Sequence, residues 1–398
     1  MNKKILIAAI LSSALLISLV AAIYFWSPEN GHRTLTVPDN YATISWAVNN
    51  ATAGDTVFVK SGTYNESLVI RTPLSLIGED SSNTIIIGGH AGIRGGGSTI
   101  DIETDNVTVS GFTLRSYNFE TPAWYFHGIY IGANNTKIAG NIIENCYSGI
   151  FSPADISNVT SINISNNTIR NNLQTGIVFG GSPFLINITD NDVTSNSFGI
   201  VVSYGYRCVI FGNSLSANSR GAIEVSGVRM DIKENNLTSN PESSINVFGS
   251  SDLVNTWNNR IENSKAGISL SDGGRQSVGG NIITNCSDYG ISFFNQTGTS
   301  SIVFKNNITD NTVGISFSQS EASFYRNNFI DNGRQVVIGI SDKENYWDSG
   351  SGGNYWSDYV TMYPDAVEVD STGIWNAPYF IDANNLDRFP LVTPFQSQ

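Results

Sequence analysis

The sequence predicts an all-β fold, a right-handed parallel β-helix of roughly 11–12 coils of about 23 residues each. Three observations lead to this prediction. Asn recurs before short apolar stretches at steps between 21 residues (Asn306 to Asn327) and 26 residues (Asn141 to Asn167). A Gly-Ile pair recurs in the same phase, and the segments between are rich in Ser, Thr, Gly and β-branched residues. Such segments disfavour helix and suit short strands separated by turns.

A leucine-rich repeat has a similar period, but each of its repeats needs a helical half and a Leu-x-x-Leu-x-Leu core. The segments between Gly-Ile and the next Asn have neither property. The earlier part of the chain is less regular, yet "LSLIGED", "NTIIIGG" and "HGIYIG" continue the alternation back to about Val69. We therefore assign the β-helix to residues 69–340.

The recurring Asn residues predict a hydrogen-bonded ladder. A residue that only forms turns would not need to keep one register, whereas stacked Asn side chains can pair polar groups that the turn leaves buried. We expect Asn and Gly to mark the corners because they tolerate left-handed backbone. The expected ladder is Asn141, Asn167, Asn191, Asn213, Asn235, Asn259, Asn281, Asn306 and Asn327.

The same alignment predicts three buried free thiols. Cys146 and Cys286 occupy the same position in coils that are six copies apart, about 29 Å at the spacing of β-strands, which is beyond the reach of a disulfide. Cys208 falls in a strand between them.

Residues 1–28 predict a signal anchor. The run Ile5–Trp26 carries no charge and follows Lys3 and Lys4, a pattern typical of a membrane helix with its N-terminus inside. The expected localisation is the cell surface, with a short cytoplasmic N-terminus and an extracellular C-terminal domain. Cleavage after Ala22, which would release a secreted protein, stays open as the alternative.

Both ends of a β-helix need a cap, because each exposes an apolar cross-section and strand edges. Residues 29–68 predict a strand, a helix and a strand. Residues 341–398 predict a C-terminal cap module that is rich in aromatic residues. We expect the cap helix to bury Ile44, Ala47, Val48 and Ala51. We expect the last coil to be covered by Tyr346, Trp347, Tyr355, Trp356 and Tyr359.

The charge balance argues against nucleic acid as a partner. The formal net charge is −13, with only 21 Lys plus Arg in 398 residues. A polyanion would be repelled over most of such a surface.

The stretch "VPDNYATISWAVNNATAGDTVFVKSGTYNESLVI" resembles the opening of right-handed parallel β-helix proteins of the pectin-lyase-like superfold. Within it the chain is most similar to the NosD-type β-helix family, commonly described as periplasmic copper-binding, and to its archaeal surface relatives. The tail "NYWDSGSGGNYWSDYVTMYPD" resembles the end module of those relatives. The resemblance implies the fold and not an activity, since this superfold hosts lyases, hydrolases, esterases, epimerases and non-enzymes.

No cofactor is expected. The resemblance to the NosD-type family suggests two metals to consider, calcium and copper. In those relatives the tail often carries an Asp-rich loop resembling a calcium site. Here the matching loop retains only Asp365, Glu368 and Asp370 as acidic residues, which is few ligands for Ca²⁺. Copper delivery would require clustered Met, His or Cys. These residues are not clustered in the sequence, so no metal site is assigned.

Polysaccharide cleavage requires clustered carboxylates together with Arg, Lys or His. The residue after each Gly-Ile pair is expected to face outward, because its neighbours on both sides face the interior. This row holds one carboxylate and makes a poor catalytic groove. The row is Tyr130, Phe151, Val178, Val201, Glu224, Asn246, Ser269, Ser292 and Ser316.

The irregular segment 101–131 is the better candidate site. Asp101, Glu103 and Asp105 alternate, which predicts one shared strand face, and with His127 they are the candidate catalytic residues. A longer excursion follows, and long loops on a rigid scaffold often carry function. Its candidate ligand-binding residues are Arg115, Tyr117, Glu120, Trp124 and Tyr125. The alternative interpretation is a solvated acidic strand face beside a covering loop.

A smaller candidate patch comprises Tyr204, Tyr206, Arg207 and Glu224.

Together the sequence observations favour a membrane-anchored extracellular β-helix with an adhesive, structural or glycan-binding role and without catalysis. Its expected partners are the membrane, through residues 5–26, and an extracellular polysaccharide or surface glycan.

Two alternatives stay open, a polysaccharide lyase or hydrolase with a site near 101–131 and an accessory protein for metalloenzyme maturation. Catalysis requires the four candidate catalytic residues to converge, binding requires exposed aromatic rings, and maturation requires gathered soft ligands.

Overall fold

The computed structural model describes residues 31–89, 97–117, 126–154, 159–296, 301–339 and 345–396. The chain forms a parallel β-helix of about 13 turns, as the 13 strands stacked along one of its faces indicate. Three faces run along the rod, and each coil contributes one short strand to each face. The predicted fold class and the coil length are therefore confirmed.

Face 1 contains the strands that carry the Gly-Ile pairs. Its strands are Leu68–Ile70, Gly97–Ile102, Phe126–Ile131, Ser148–Ser152, Thr175–Phe179, Phe198–Tyr206, Gly221–Val228, Ser243–Val247, Ala266–Ser271, Tyr289–Phe294, Val313–Ser318 and Arg334–Ile338.

Face 2 contains the strands that precede the Asn ladder. Its strands are Thr34–Val37, Thr56–Val59, Ser75–Gly78, Thr108–Ser110, Lys137–Ala139, Thr160–Ser165, Phe184–Thr189, Val209–Phe211, Asp231–Lys233, Val254–Trp257, Gln276–Gly279, Ser301–Phe304 and Ala322–Tyr325. Faces 1 and 2 together form one 25-stranded sheet.

Face 3 follows the Asn ladder and forms a separate 13-stranded sheet. Its strands are Gly62–Tyr64, Thr84–Gly88, Thr113–Ser116, Ile142–Glu144, Thr168–Arg170, Asp192–Thr194, Ser214–Ser216, Asn236–Thr238, Arg260–Glu262, Ile282–Thr284, Asn307–Thr309, Asn328–Ile330 and Tyr355–Trp356.

The number of turns exceeds the expected 11–12 because the solenoid extends into both predicted caps. Thr34–Val37 pairs in parallel with Thr56–Val59, which in turn pairs with Ser75–Gly78, so both cap strands continue face 2. At the other end, Tyr355–Trp356 pairs in parallel with Asn328–Ile330 and adds a last strand to face 3.

The Asn ladder lines the corner between faces 2 and 3, as predicted. Asn213 is a representative member, and its Oδ1 accepts hydrogen bonds from Asn191 N (2.9 Å) and Nδ2 (3.0 Å). Its own Nδ2 donates to Ile188 O (2.9 Å) and to Asn235 Oδ1 (3.0 Å). Each ladder amide therefore bonds the coil before it and the coil after it, and it pairs backbone groups that would otherwise be buried without partners.

The left-handed backbone at this corner belongs to the residue before each ladder Asn. This corrects the expectation that the recurring Asn itself adopts that conformation. Lys305 (φ 59°) and Arg326 (φ 58°) are members that intrinsically disfavour it. The full set is Gly140, Asn166, Asp190, Gly212, Glu234, Asn258, Gly280, Lys305 and Arg326.

A second ladder lies five residues further on, at the corner between faces 3 and 1. Cys146 occupies one of its positions, where its N–H donates to Asn172 Oδ1 (3.0 Å). Cys286 does the same with Asn311 (2.9 Å). Both cysteines and Cys208 are buried and free, which confirms the prediction.

The N-terminal cap has the predicted strand-helix-strand order. Helix α1, Ile44–Asn50, begins after Thr43, whose Oγ1 accepts a hydrogen bond from Trp46 N (3.1 Å). The Glu66 carboxylate accepts from the N–H groups of Ile44 and Ser45, which places a negative charge at the helix N-terminus. Ile44, Ala47 and Val48 are buried, so the helix covers one end of the core.

The C-terminal module contains the short helix α2, Tyr359–Met362, and an antiparallel pair, Tyr379–Phe380 with Leu386–Asp387. Trp347 stacks on Phe324 of the last complete coils (4.3 Å between ring centroids), and Trp356 stacks on Tyr379 (4.1 Å). Of the five aromatic residues expected to cover the end, Trp347, Trp356 and Tyr359 are buried, whereas Tyr346 is 51% exposed.

Within the described ranges, no helix has the length and apolar character needed to cross a bilayer. The predicted anchor, residues 5–26, lies outside those ranges, as do Glu120, Trp124 and Tyr125.

Candidate functional site

The predicted outward row runs along face 1 in continuous register. Tyr130 pairs with Phe151, and Ser292 pairs with Ser316 near the other end. The row also extends toward the N-terminus, because Asp101 is the strand neighbour of Tyr130. Its two carboxylates, Asp101 and Glu224, are five coils apart, about 24 Å at the usual strand spacing.

The segment 97–131 places Asp101 and His127 on adjacent strands of face 1. The Ser98 hydroxyl donates a hydrogen bond to Asp101 Oδ1, and Ser98 is the direct strand neighbour of His127. Asp101, Ser98 and His127 are each less than 10% exposed. We call Ser98, Asp101, His127 and Tyr130 the Asp101 cluster.

His127 is a buried, neutral imidazole. Its ring stacks on Phe151 with 4.0 Å between centroids and 3° between planes. Its Nδ1 is buried and has no hydrogen-bond partner among the described residues. Burial lowers the pKa of His127 from 6.5 to about 4, because the charged form would lose its hydration. The imidazole is therefore uncharged at neutral pH.

Glu103 and Asp105 do not share the strand face of Asp101, which corrects the prediction for this segment. The strand ends at Ile102, and the chain turns toward face 2. Glu103 then forms an ion pair with Arg71 (3.0 Å), and Asp105 accepts a hydrogen bond from Asn134 N (2.8 Å). The two carboxylates therefore have structural partners of their own.

Arg115 is part of an ion-pair network on face 3. Its Nε lies 2.7 Å from Glu144 Oε1, and Arg170 Nε lies 2.8 Å from Glu144 Oε2. Burial alone would raise the pKa of Glu144, but the hydrogen bonds from Arg170 and Arg115 outweigh it and hold this pKa below its usual value. The guanidinium of Arg115 is therefore engaged by Glu144. Tyr117, by contrast, is 62% exposed.

The smaller patch is more extensive than the sequence indicated. The Tyr206 ring stacks on Phe184 (5.7 Å between centroids) and lies 5.4 Å from the Arg207 guanidinium and 5.9 Å from that of Arg229. Arg229 Nη1 also donates to the Tyr206 hydroxyl (3.1 Å). We call Phe184, Tyr204, Tyr206, Arg207 and Arg229 the Tyr206 platform.

The platform exists because one strand runs through the corner between faces 1 and 2. Phe198–Tyr206 pairs with Gly221–Val228, with an irregularity between Val202 and Gly205. Gly227 has φ +147°, and a Cβ there would overlap the backbone of Gly205. Two stacked glycines thus let the coils approach and carry Tyr204, 72% exposed, to the surface.

Sequence reasoning missed Phe184 and Arg229 because they belong to other coils. Aligning the coils on their ladder Asn residues would have placed them beside Tyr206. Glu224 belongs to the outward row of face 1, where it neighbours Val201 and Asn246. Burial raises the pKa of Glu224.

Comparison with protein families matches the family described as "Periplasmic copper-binding protein (NosD)", over residues 48–258 and 220–361. The chain belongs to the NosD family. Comparison of this NosD-family chain with curated proteins gives no match.

Several solved structures are similar to this NosD-family protein in fold. The A-module of an Azotobacter vinelandii mannuronan C-5 epimerase has a TM-score of 0.65 at 15% identity, over 78% of this chain and 94% of that one. A Streptomyces thermodiastaticus α-1,3-glucanase catalytic unit has a TM-score of 0.52 at 11% identity, over 81% and 70%. A Eubacterium ramulus lacto-N-biosidase has a TM-score of 0.51 at 11% identity, over 79% and 68%. These likenesses establish the pectin-lyase-like fold.

The soft ligands of the described residues do not fit a copper site. Cys146, Cys208 and Cys286 lie in three different coils, and burial raises the pKa of the Cys146 thiol to about 12 and that of Cys208 to about 11. Thiolates, the form that binds metals, are therefore disfavoured. No group of three or more His, Cys, Asp or Glu side chains in the described ranges could hold a metal ion, and this covers Asp365, Glu368 and Asp370.

Proposed function

We propose that this NosD-family protein is a non-catalytic glycan-binding β-helix that acts outside the cytoplasm. The observation that carries the proposal is the Tyr206 platform. An aromatic ring offers an apolar face with a polar edge, which suits the alternating C–H and hydroxyl groups of a sugar ring. Tyr204 and Tyr206 supply two such exposed rings from one strand.

The arginines of the platform support the same proposal. Arg207 and Arg229 form no ion pair with any described residue, although acidic side chains outnumber basic ones in this chain by 34 to 21. Each guanidinium keeps N–H donors for a ligand, and stacking on Tyr206 limits the conformational entropy lost on binding. Sugar hydroxyls and carboxylates are suitable acceptors for these donors.

Two further observations support the location and the ligand class. The family is described as periplasmic, and the uncharged run 5–26 supports anchoring of the domain to the outer side of a membrane. Proteins of similar fold are named as a mannuronan epimerase and an α-1,3-glucanase.

Anchoring is tested by fractionating cells that express the full chain or residues 29–398. We expect only the full chain in the membrane fraction.

The binding proposal is tested with residues 29–398 on a panel of acidic and neutral polysaccharides. We expect Tyr206→Ala to weaken binding at least about tenfold, the effect of losing one stacking ring and its cation contacts. Phe380→Ala is the matched control, because Phe380 is a 54% exposed ring at the C-terminal end. Equal binding by the wild type and the Tyr206 variant would refute the assignment.

A second candidate function is polysaccharide cleavage at the Asp101 cluster. The specific observation is the meeting of the Ser98–Asp101 hydrogen bond, the neutral His127 and Tyr130 on one face. Hydrolysis is disfavoured, because paired carboxylates are usually about 5–9.5 Å apart and the two on this row are about 24 Å apart. A lyase needs one group that accepts a proton and one that donates a proton, which His127 and Tyr130 could supply.

The same polysaccharide panel tests catalysis when new chain ends are recorded together with binding. The glycan-binding proposal predicts binding without new ends. New ends that disappear in Asp101→Asn and His127→Gln, but persist in Glu103→Gln, would replace it with a lyase at the Asp101 cluster.

A further inference from the structure

A groove lies near the C-terminal end of face 2, where a glycine interrupts a row of aromatic side chains. The outward positions of this face follow one another in register as Lys233, Trp257, Gly279, Phe304 and Tyr325. Gly279 interrupts a row of aromatic rings, and the Phe304 ring lies against this glycine, where a Cβ would come within 2.6 Å of the ring. The groove has a volume of about 570 Å³, within the range of ~300–1,000 Å³ that is typical of ligand sites.

The walls of the groove are held in place. Trp257 Nε1 donates a hydrogen bond to Ser277 Oγ (2.9 Å), which orients the indole. Phe395, from the C-terminal tail, lines the opposite side, where the Asn328 side chain bonds both its N–H (2.7 Å) and its carbonyl (2.9 Å). Asn328 itself is buried. The groove is therefore a preformed site.

Two cations border the groove. Lys305 Nζ lies 5.5 Å and the Arg326 guanidinium 5.6 Å from the centroid of the Phe395 ring. Both are exposed, and neither forms an ion pair with a described residue. Both residues adopt the left-handed backbone conformation just before a buried ladder Asn. These two charges remain available for an anionic ligand.

We propose that this groove binds a uronate residue within an oligosaccharide. The apolar faces of Trp257 and Phe304 suit a sugar ring, and the carboxylate would pair with Lys305 and Arg326. The lining residues come from the C-terminal tail and from four successive coils, and these coils span about 14 Å along the rod, which favours an extended ligand over a compact one. The choice of ligand class rests on the proposed glycan binding, but the groove and the Tyr206 platform share no residue.

The negative charge of the rest of the chain predicts which acidic oligosaccharides the groove prefers. Exposed charges beyond about 8 Å are largely screened at physiological salt, so two local cations can attract one carboxylate despite a net charge of −13. A polymer with a carboxylate on every sugar would also meet repulsion from the rest of the surface. Oligosaccharides with isolated uronates should therefore bind better than fully acidic ones.

The test is calorimetric titration of residues 29–398 with a glucuronate-containing oligosaccharide and with the same oligosaccharide after reduction of its carboxyl group. We expect the double variant Lys305→Gln/Arg326→Gln to bind the acidic form at least about tenfold more weakly than the wild type and the reduced form unchanged. Lys137→Gln removes an exposed cation that forms no ion pair with a described residue, and this matched control should bind like the wild type. Trp257→Ala should weaken both forms, with its unfolding midpoint measured to confirm folding.

The outcomes separate this inference from the proposed function. Loss of binding in Tyr206→Ala with none in the double variant would overturn the groove assignment and leave glycan binding intact. If the double variant and Lys137→Gln lose the same affinity for the acidic form, the overall charge of the protein explains the effect. That result would also overturn the groove assignment. If inorganic phosphate binds the groove and the uronate does not, the ligand class is wrong. Absence of binding to any glycan would overturn both proposals.

Discussion

Single buried amides stabilise the coils of this protein. Asn213 is 1% exposed and accepts two hydrogen bonds from Asn191, and its Nδ2 lies within hydrogen-bond distance of three further acceptors. Truncation to Ala would leave several buried groups without partners, each costing roughly 1–3 kcal/mol. We expect Asn213→Ala to reduce the free energy of unfolding by about 3 kcal/mol or more, measured by urea denaturation. Asn236→Ala, at an exposed strand position in the next coil, should change it by less than about 0.5 kcal/mol.

The burial of His127 predicts a pH dependence. Its pKa is about 4 in the folded protein and about 6.5 in the unfolded chain, so between these values the unfolded chain binds a proton that the folded chain excludes. The contribution of His127 to stability is therefore full above pH 6.5 and decreases as the pH drops toward 4, by at most about 3 kcal/mol. The Asp101 carboxylate on the adjacent strand is the nearest acidic group on this face that could reduce the loss.

Nuclear magnetic resonance of the imidazole checks the pKa, and denaturation at pH 7 and pH 5 checks the stability. Between pH 7 and pH 5 the wild type should lose more stability than His127→Asn, and the difference between the two proteins isolates the contribution of His127. A His127 titration midpoint near 6.5 would contradict the prediction.

At this scale the sequence predicts the ladder better than the turns beside it. A repeated buried amide leaves a clear signal, because only Asn can bond both neighbouring coils from that position. The left-handed residue before it leaves little signal, since Glu234, Lys305 and Arg326 adopt it although their side chains do not favour it. The stacking of coils imposes this conformation, so the local sequence propensity does not predict it.

Among the elements, the C-terminal module is attached to the solenoid through one carboxylate. Asp387 Oδ2 accepts hydrogen bonds from Asn354 N (2.7 Å), at the end of the Asn ladder, and from Trp356 Nε1 (3.0 Å). Its Oδ1 accepts from Phe389 N (3.0 Å). A side chain on Gly353 would overlap this carboxylate, so the position requires glycine. Asp387 thus joins the last coil to the module.

Asp387→Ala should loosen the module without unfolding the early coils. Three buried donors would lose their acceptor, which predicts a loss of several kcal/mol from the terminal coil. The expected observation is a red shift of tryptophan fluorescence, since Trp347 and Trp356 are buried here, together with faster proteolysis after residue 345. Asp365→Ala, at an exposed position of the same module, is the control and should leave the fluorescence unchanged.

Elements with a strong period are predicted well, and elements that depend on neighbouring coils are not. The Gly-Ile strands of face 1 could be assigned from sequence, because the same inward positions recur in each coil. The cap strand Thr34–Val37 was expected to belong to a separate cap, yet it continues face 2. The Tyr206 platform and the groove at Gly279 join residues about 20 to 25 positions apart, so they become visible only when coils are superimposed.

Over the whole molecule, each coil stacks on the coils before and after it, so stability is set mainly by the interfaces between neighbouring coils. An internal coil must break two interfaces to open, whereas an end coil breaks one. Local opening should therefore cost least at the ends and most in the middle of the rod. The caps oppose this gradient by covering the apolar cross-sections with α1 at one end and Trp347 and Trp356 at the other.

Hydrogen exchange measures this gradient directly. We expect protection to rise from both ends toward residues 160–290, and Asp387→Ala to lower it over 301–356 while leaving residues 97–170 unchanged. Asn213→Ala should instead lower protection in its own coil and the two beside it, because the lost bonds belong to those interfaces. A uniform decrease along the chain in either variant would show that the rod opens as one cooperative unit. In that case the caps would stabilise every coil equally and not only the coils beside them.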